Sequence, residues 1–288
     1  MHLLLALPAP AKLNLFLHVT GRRRDGYHEL QTAYVLTELA DWLDFERRTD
    51  SAIVRDGDLI GRVEEDLAVR AGQALRQASG TSLGATISVT KRVPAGSGLG
   101  GGSSDAATTL IALNRLWNLN LPRTKLSAIG LQLGADVPFF LHGHHAFAEG
   151  IGERLTTIEL PSTWFAIVWP QVPVSTREIF SDAGLTRNSK VTKIADFSAV
   201  AADAAGNLDL PSSLVNDLEP VARRRYPIID EAIKRLERFG AARMTGSGSA
   251  VFITARSREQ AELAVADMPS GWCTWVVQKL VEHPLAVW

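Results

Sequence analysis

Pro94-Ala95-Gly96-Ser97-Gly98-Leu99-Gly100-Gly101-Gly102-Ser103-Ser104 is the stretch that decides how this 288-residue chain folds. Five glycines fall within the seven residues 96–102, a density that excludes the interior of a strand or helix. Just upstream, Ala85, Ile87 and Val89 alternate with Thr86, Ser88 and Thr90, the period of a strand over 85–93. Just downstream, Leu110, Leu113 and Trp117 recur at helical spacing, predicting a helix over about 104–118. A strand, a glycine-rich turn and a helix N-terminus together make an anion site. Glycine lets the backbone approach closely and adopt positive φ, so that several N–H groups converge on one phosphate, and the helix dipole adds partial positive charge. The loop is expected to lie outside the core, so that the fold largely survives substitution of Gly98 or Gly101.

Three common phosphate loops are excluded. Gly96, Gly98 and Gly101 fit G-x-G-x-x-G, but a dinucleotide fold needs an acidic residue about 20 positions on, and 106–135 contain no Asp or Glu. A P-loop needs Gly-Lys-Ser/Thr, and here Gly101 is followed by Gly102. A protein kinase needs H-R-D and D-F-G, and neither occurs.

Outward from the loop, residues 11–19 alternate. Ala11, Leu13, Leu15, Leu17 and Val19 are expected on one strand face, with Lys12, Asn14, Phe16 and His18 on the other. Residues 33–46 predict one or two further strands, and 66–79 a helix. A helix over 123–133 should stop at Gly134. The apolar run 164–169 predicts a strand that opens a second domain, dividing the chain into 1–158 and 159–288. Residues 186–212, rich in Ala, Asp, Ser and Asn without period, suggest a loosely ordered insert. A helix over 227–239, a strand–loop–strand over 241–253, a helix near 257–268 and a strand near 274–280 complete the pattern.

Bulk properties narrow the function classes. Thirty Lys plus Arg against 31 Asp plus Glu leave no bulk attraction to nucleic acid or an anionic membrane, so phosphate binding must be local. The single cysteine, Cys273, cannot form an intrachain disulfide, and no Cys/His cluster has zinc spacing, which fits a reducing cytoplasm. The apolar start lacks a basic region and is interrupted by Pro8, Pro10, Lys12 and Asn14, unlike a signal peptide. No uncharged apolar run reaches membrane-spanning length.

Several residues admit two readings. Asp136, between Gly134 and an apolar run, is either a general base or a helix-end carboxylate bonded to backbone N–H groups. Lys12, by spacing alone, is an exposed strand lysine. Tyr27 and His28 either bind a base or pack at a loop end. Arg22, Arg23 and Arg24 either meet a diphosphate or form a solvated loop. The 245–249 loop either closes over ligand or is a tight hairpin.

The glycine stretch 94–104 resembles the central motif of the GHMP kinases, the superfamily of galactokinase, homoserine kinase, mevalonate kinase and phosphomevalonate kinase. Pro10-Ala11-Lys12-Leu13-Asn14-Leu15 resembles its N-terminal motif, and Met244-Thr245-Gly246-Ser247-Gly248-Ser249 its C-terminal glycine motif. The three stand in family order across nearly the whole chain. The run 11–17, Asp25-Gly26-Tyr27-His28-Glu29-Leu30-Gln31-Thr32 and Gly134-Ala135-Asp136-Val137-Pro138-Phe139-Phe140 are similar to one branch. That branch uses ATP and Mg²⁺ to phosphorylate the 2-hydroxyl of a cytidine-diphosphate-linked sugar alcohol, in the non-mevalonate route to isoprenoid precursors. The chain departs from its pattern at Ala95, Ser97 and Ala250, where methionine, glycine and cysteine stand; all three are small residues in loops.

The resemblance implies an α+β, two-domain GHMP kinase fold, with an N-terminal domain like ribosomal protein S5 domain 2 and a ferredoxin-like C-terminal domain. It makes Asp136 the acceptor of the substrate proton and Lys12 its catalytic partner. It assigns ATP to Pro94, Ala95, Gly96, Ser97, Gly98, Leu99, Gly100, Gly101, Gly102, Ser103 and Ser104. It assigns the acceptor to Asn14, Tyr27, His28, Thr176 and Phe180, with Tyr27 and Phe180 on the two faces of the cytosine. The expected partner is this small molecule, not nucleic acid or membrane, for a cytoplasmic monomer or weak homodimer. The magnesium ligands are not assigned. Two rivals stand beside this reading. One is another GHMP kinase, acting on homoserine or mevalonate, against which Tyr27, His28 and Phe180 argue. The other is a nucleotide-binding regulatory protein without catalysis, against which Lys12 and Asp136 argue.

Overall fold

The computed structural model describes residues 2–201 and 207–288. Its first half begins with two long strands, β1 (Leu3–Arg22) and β2 (His28–Arg48), joined by the turn at Asp25-Gly26. Then come β3 (Ile53–Gly57), α1 (Leu67–Ser79), β4 (Gly84–Thr90), α2 (Gly101–Leu116), α3 (Arg123–Leu133), α4 (Val137–His142), β5 (Ala146–Glu149) and β6 (Arg154–Thr157). The strands form a mixed sheet of order β3-β4-β2-β5-β6, with β1 also paired to β2. The β3–β4 pair is parallel and the other pairs are antiparallel.

The second half contains β7 (Trp164–Trp169), α5 (Thr176–Ser181), α6 (Ile194–Val200), α7 (Glu219–Arg225), α8 (Pro227–Leu236), β8 (Arg243–Met244), β9 (Val251–Ala255), α9 (Arg258–Ala266) and β10 (Cys273–Gln278). Its sheet is antiparallel with order β10-β7-β9-β8. That is the βαββαβ arrangement of a ferredoxin-like domain.

Local signals explain the helix ends. The Asp66 carboxylate accepts the N–H groups of Ala68 and Val69 at the start of α1, and Gly80, at φ 71°, ends the helix in the left-handed region. Ser257 caps α9 through the Gln260 N–H. Two expectations need correction. Helix α2 begins at Gly101, inside the glycine run, because Gly100 at φ 77° is already its N-cap. Gly134 does end α3, but at φ 177° it is extended backbone that any residue adopts, so it is not a left-handed cap.

Four layers result: α1–α4, the first sheet, the second sheet, and α7–α9. Leu75, Leu110, Leu113 and Phe140 fill the first interface with Leu36 and Phe45. Leu13, Leu15 and Val35 meet Phe165, Ile167 and Phe252 between the sheets. Ile229, Ile233 and Ala261 cover the outer face of the second sheet. Strand β1 is therefore buried on both faces, and its simple alternation does not survive. A register shift between Asn14 and Leu17 puts Phe16 in the same cluster as Leu15, while Leu17 and Val19 join the outer cluster.

The 186–212 stretch is more ordered than its composition suggests. It carries α6, and Phe197 is buried against Phe16 and Phe147. Residues 202–206 of that expected insert lie outside the described residues. After β10 the chain returns to the first layer. The Leu280 N–H donates to the Leu36 carbonyl and the His283 N–H to that of Gly143. Leu285 is buried in the first core, and the Arg115 guanidinium lies 4.3 Å from the Trp288 ring centroid.

Candidate active site

The connection between β4 and α2 is folded back on itself by Gly96, Gly98 and Gly100, at φ 66°, 81° and 77°. Each of these is a conformation that a side chain disfavours. Three elements fasten the loop. The N–H of Lys12 donates to the Leu99 carbonyl (3.0 Å), that of Val174 to Gly96 (3.0 Å) and that of Ala250 to Ser97 (2.9 Å). The loop is thus not peripheral, contrary to expectation. A Cβ on Gly98 would lie 2.2 Å from the Thr245 carbonyl oxygen, so loop and second sheet are in backbone contact.

Beside this loop lies a cavity of about 480 Å³. Of the residues expected to hold ATP, Pro94 to Gly98 and Gly100 to Ser103 line it, whereas Leu99 and Ser104 are buried beneath. Lys12, Asn14, Asp136, Thr176 and Phe180 line the same cavity. Tyr27 does not; it stands 59% exposed at the tip of the β1–β2 turn. His28, rather than Tyr27, is the ring set against Phe180, with centroids 5.1 Å apart. Arg22, Arg23 and Arg24 are also absent from the cavity wall, and Arg23 pairs with Asp25 and Glu29 at the surface. The 245–249 loop is a tight turn that also borders the cavity. The Gly248 N–H closes a tight turn on the Thr245 carbonyl, while Gly246 and Ser247 line the cavity.

Lys12 is not the exposed strand lysine that its spacing suggests. It is only 3% exposed, because its stem runs under Gly100, where a Cβ would come within 3.1 Å of its Cγ. Its Nζ donates to Asn14 Oδ1 at 2.5 Å and lies 3.7 Å from Asp136 Oδ2. Burial pulls the Lys12 pKa below the ordinary lysine value, and the Asp136 carboxylate opposes that shift. Asp136 stands at the N-cap position of α4 but makes no side-chain cap bond. Instead its Oδ1 accepts the Tyr34 hydroxyl at 2.9 Å. Its side chain remains 32% exposed toward the cavity. Burial, then Asp136, holds the Tyr34 pKa well above the usual tyrosine value, so Tyr34 is a donor. Asn14 is spoken for inside the protein, since its N–H donates to Thr245 Oγ1 and its Nδ2 to Thr32 Oγ1, both at 2.9 Å. Across the cavity, the hydroxyls of Thr176 and Ser247 are hydrogen-bonded at 2.8 Å.

Tyr34 and a cluster behind the glycine loop had no sequence signal of their own. In that cluster the Lys91 ammonium bridges Asp41 Oδ2 (2.5 Å) and Asp105 Oδ2 (2.6 Å). Asp41 Oδ1 also accepts the N–H groups of Arg92 and Val93. The cluster ties the entry of the loop to the second turn of α2. Burial pushes the Asp105 carboxyl up to about 7, against the pull of Lys91 and with the help of Asp41.

Comparison with known proteins follows this geometry. The sequence pattern of the GHMP kinases N terminal domain matches residues 66–144, and that of the GHMP kinases C terminal matches 196–272. The 4-diphosphocytidyl-2-C-methyl-D-erythritol kinase of Aromatoleum aromaticum is 51% identical over 98% of this chain and 95% of its own length. That of Burkholderia pseudomallei is 51% identical over 96% and 94%. A solved structure of a 4-(cytidine 5'-diphospho)-2C-methyl-D-erythritol kinase, 35% identical, superposes with a TM-score of 0.81 over 94% of this chain and 98% of that one. Homoserine kinase from Cytophaga hutchinsonii, 17% identical, superposes at 0.67 over 98% and 96%, a likeness of fold alone. Among the described residues, no helix is long and apolar enough to cross a membrane.

Proposed function

This chain belongs to the GHMP kinases, and we propose that it transfers the γ-phosphoryl group of ATP to the 2-hydroxyl of 4-diphosphocytidyl-2-C-methyl-D-erythritol, a step toward isoprenoid precursors by the non-mevalonate route. The observation that carries this reading is the meeting, in one cavity, of the Lys12–Asp136 pair and the glycine loop. The relatives that share half of its residues over nearly its whole length carry that activity in their names.

The residues divide the work as follows. Backbone N–H groups between Ala95 and Ser103 and the N-terminus of α2 hold the ATP phosphates. Asp136 accepts the proton of the 2-hydroxyl; the oxygen attacks the γ-phosphorus, the bond to the β-phosphate oxygen breaks, and ADP leaves. Tyr34 donates to Oδ1, and Oδ2, on the side of Lys12, takes the proton. Lys12, kept cationic by Asp136 and oriented by Asn14, offsets charge developing on the transferred group. Phosphoryl transfer is often loose, so positioning contributes at least as much as basicity.

Mg²⁺ bound with ATP would neutralise phosphate charge. Of the hard oxygen donors on the cavity wall, the Ser103 hydroxyl beside the glycine loop would help to hold it. The cytosine end of the acceptor sits at Phe180 and His28, with Thr176 beside them, and Tyr27 folds over the base from the exposed turn. The ATP and catalytic residues belong to a domain spanning 1–158; 159–288 form the second, except that its tail from Leu280 packs on the first. The enzyme works in the cytoplasm as a monomer or weak homodimer, without nucleic acid or membrane.

An ATP-turnover assay with a panel of acceptors tests the proposal. The diphosphocytidyl acceptor should be phosphorylated, and homoserine, mevalonate and galactose should be turned over poorly. Comparable turnover of any of these three refutes it.

A further inference from the structure

One guanidinium joins Phe180, on the cavity wall, to His28, which lies behind that wall and outside its lining. Arg187 lies in the non-periodic stretch after α5, where composition gave no hint of a role. Its Nη2 donates to the carbonyls of Phe180 (3.0 Å) and Asp182 (2.8 Å), and its Nη1 to that of Leu185 (3.0 Å). These are carbonyls at the end of α5 and the turn behind it, where a helix leaves acceptors without partners. Of the two remaining donors, Nε–H reaches His28 Nε2 at 3.1 Å. His28 opens β2 of the first sheet, whereas α5 follows β7 of the second. The two rings that Arg187 holds, by the Phe180 carbonyl and the His28 ring nitrogen, are the pair with centroids 5.1 Å apart.

We propose that Arg187 is a positioning residue for the acceptor: by bonding the end of α5 and the His28 ring at once, it fixes the Phe180–His28 pair in the geometry that binds the base. The bond also sets the chemistry of His28. Because Nε2 accepts from Arg187, the neutral ring carries its proton on Nδ1. Burial first, then the charges of Arg187 and Arg22, lower the histidine's proton affinity, which keeps it neutral. A flat fork with donors in fixed directions can satisfy three carbonyls and a ring nitrogen together; a lysine ammonium, a single point of charge, cannot.

The proposal rests on the reading that the base of the acceptor sits at Phe180, so the experiment must separate the two. Steady-state kinetics on full-length Arg187→Ala, Arg187→Lys and Phe180→Ala do so, after melting temperatures confirm folding. Arg187→Ala and Arg187→Lys should each raise KM for the diphosphocytidyl acceptor about tenfold or more, while kcat and KM for ATP stay within about twofold. Phe180→Ala should raise the acceptor KM as well. If Phe180→Ala raises it and Arg187→Ala does not, the Arg187 proposal is overturned and the base site stands. If Phe180→Ala has no effect, the base-site reading fails and takes the proposal with it. A fall in kcat with a parallel rise in KM for ATP would mark Arg187 as generally structural and overturn its specific role. Full activity in Arg187→Lys would show that charge suffices, and overturn it too. Should Arg187→Ala not fold, Arg187→Lys carries the test by the same criteria.

Discussion

Gly98 and Gly102 belong to one glycine run, yet alanine should do opposite things at them. At Gly98, φ is 81°, and a left-handed conformation costs an alanine about 1–2 kcal/mol. The new Cβ would also stand 2.2 Å from the Thr245 carbonyl oxygen and 3.2 Å from the Gly248 nitrogen. Relief requires roughly 1 Å of separation between the loop and the 245–249 turn. Such a shift strains the Ala250-to-Ser97 and Lys12-to-Leu99 backbone bonds, each worth about 1 kcal/mol. The sum is about 3–4 kcal/mol, which for a chain of this size lowers the melting temperature by about 5–7 °C. At Gly102 φ is not left-handed, and the nearest atom to an added Cβ is Leu67 Cδ1 at an ordinary 3.5 Å. Gly102 is also in the first turn of α2, where alanine is the better helix former by up to about 1 kcal/mol. Differential scanning calorimetry of Gly98→Ala and Gly102→Ala, with ATP titrations on both, checks this. Gly98→Ala should melt about 5–7 °C low and bind ATP weakly, while Gly102→Ala should melt at or above the parent temperature. Equal melting temperatures, or unchanged ATP affinity in Gly98→Ala, would show that the loop is not seated on the turn.

The chemistry and the acid response can be tested as directly. Asp136→Asn should lower kcat by about 10²–10⁴ with KM for both substrates preserved, and a folded variant retaining more than about a tenth of kcat would remove the general-base role. Lys12→Met should also lower kcat, and the double variant should be little worse than the worse single, because the pair acts as one unit. Burial holds the His145 pKa near 4 and that of His283 near 3, both below the ordinary histidine value. Below pH ~6.5 the unfolded chain therefore binds protons that the folded one refuses, so stability present above that pH is lost on acidification. By pH 5 the loss is about 2 kcal/mol for each histidine. Denaturant midpoints measured from pH 7 to pH 5 should fall, and the fall should be smaller in His145→Gln; no difference between the two proteins would refute the assignment to His145.

The glycine loop, the Lys12 strand and the Asp136 segment were legible in the sequence because each is a contiguous motif whose chemistry is written in neighbouring residues. Tyr34 was not, although it lies directly opposite Asn14 in the β1–β2 ladder. Counting across the hairpin from its turn fails there, because register shifts between Val19 and Gly21 and between Asn14 and Leu17 break the count. The burial of Lys12 was hidden for a related reason. Alternation predicts which face of a strand a residue occupies, not whether a loop 88 positions away covers that face. Asp41, Lys91 and Asp105 come from three separate elements, and their convergence is a product of tertiary packing alone. The pairing of His28 with Phe180, in place of Tyr27, follows from Arg187, whose surroundings carry no periodic signal.

The return of residues 280–288 to the first layer bears on how the protein is made. Leu285 and Trp288 dock on α2–α4 and the first sheet, yet they leave the ribosome after everything they touch. The face of β1 and β2 that meets Phe165 and Phe252 waits as well, until the second sheet has emerged. Folding each domain to completion as it is synthesised, the usual order in a two-domain chain, is therefore closed to this one. The nascent N-terminal half must carry open apolar surface until these residues emerge, and Leu285 seals a core that begins at Leu4, some 280 residues earlier.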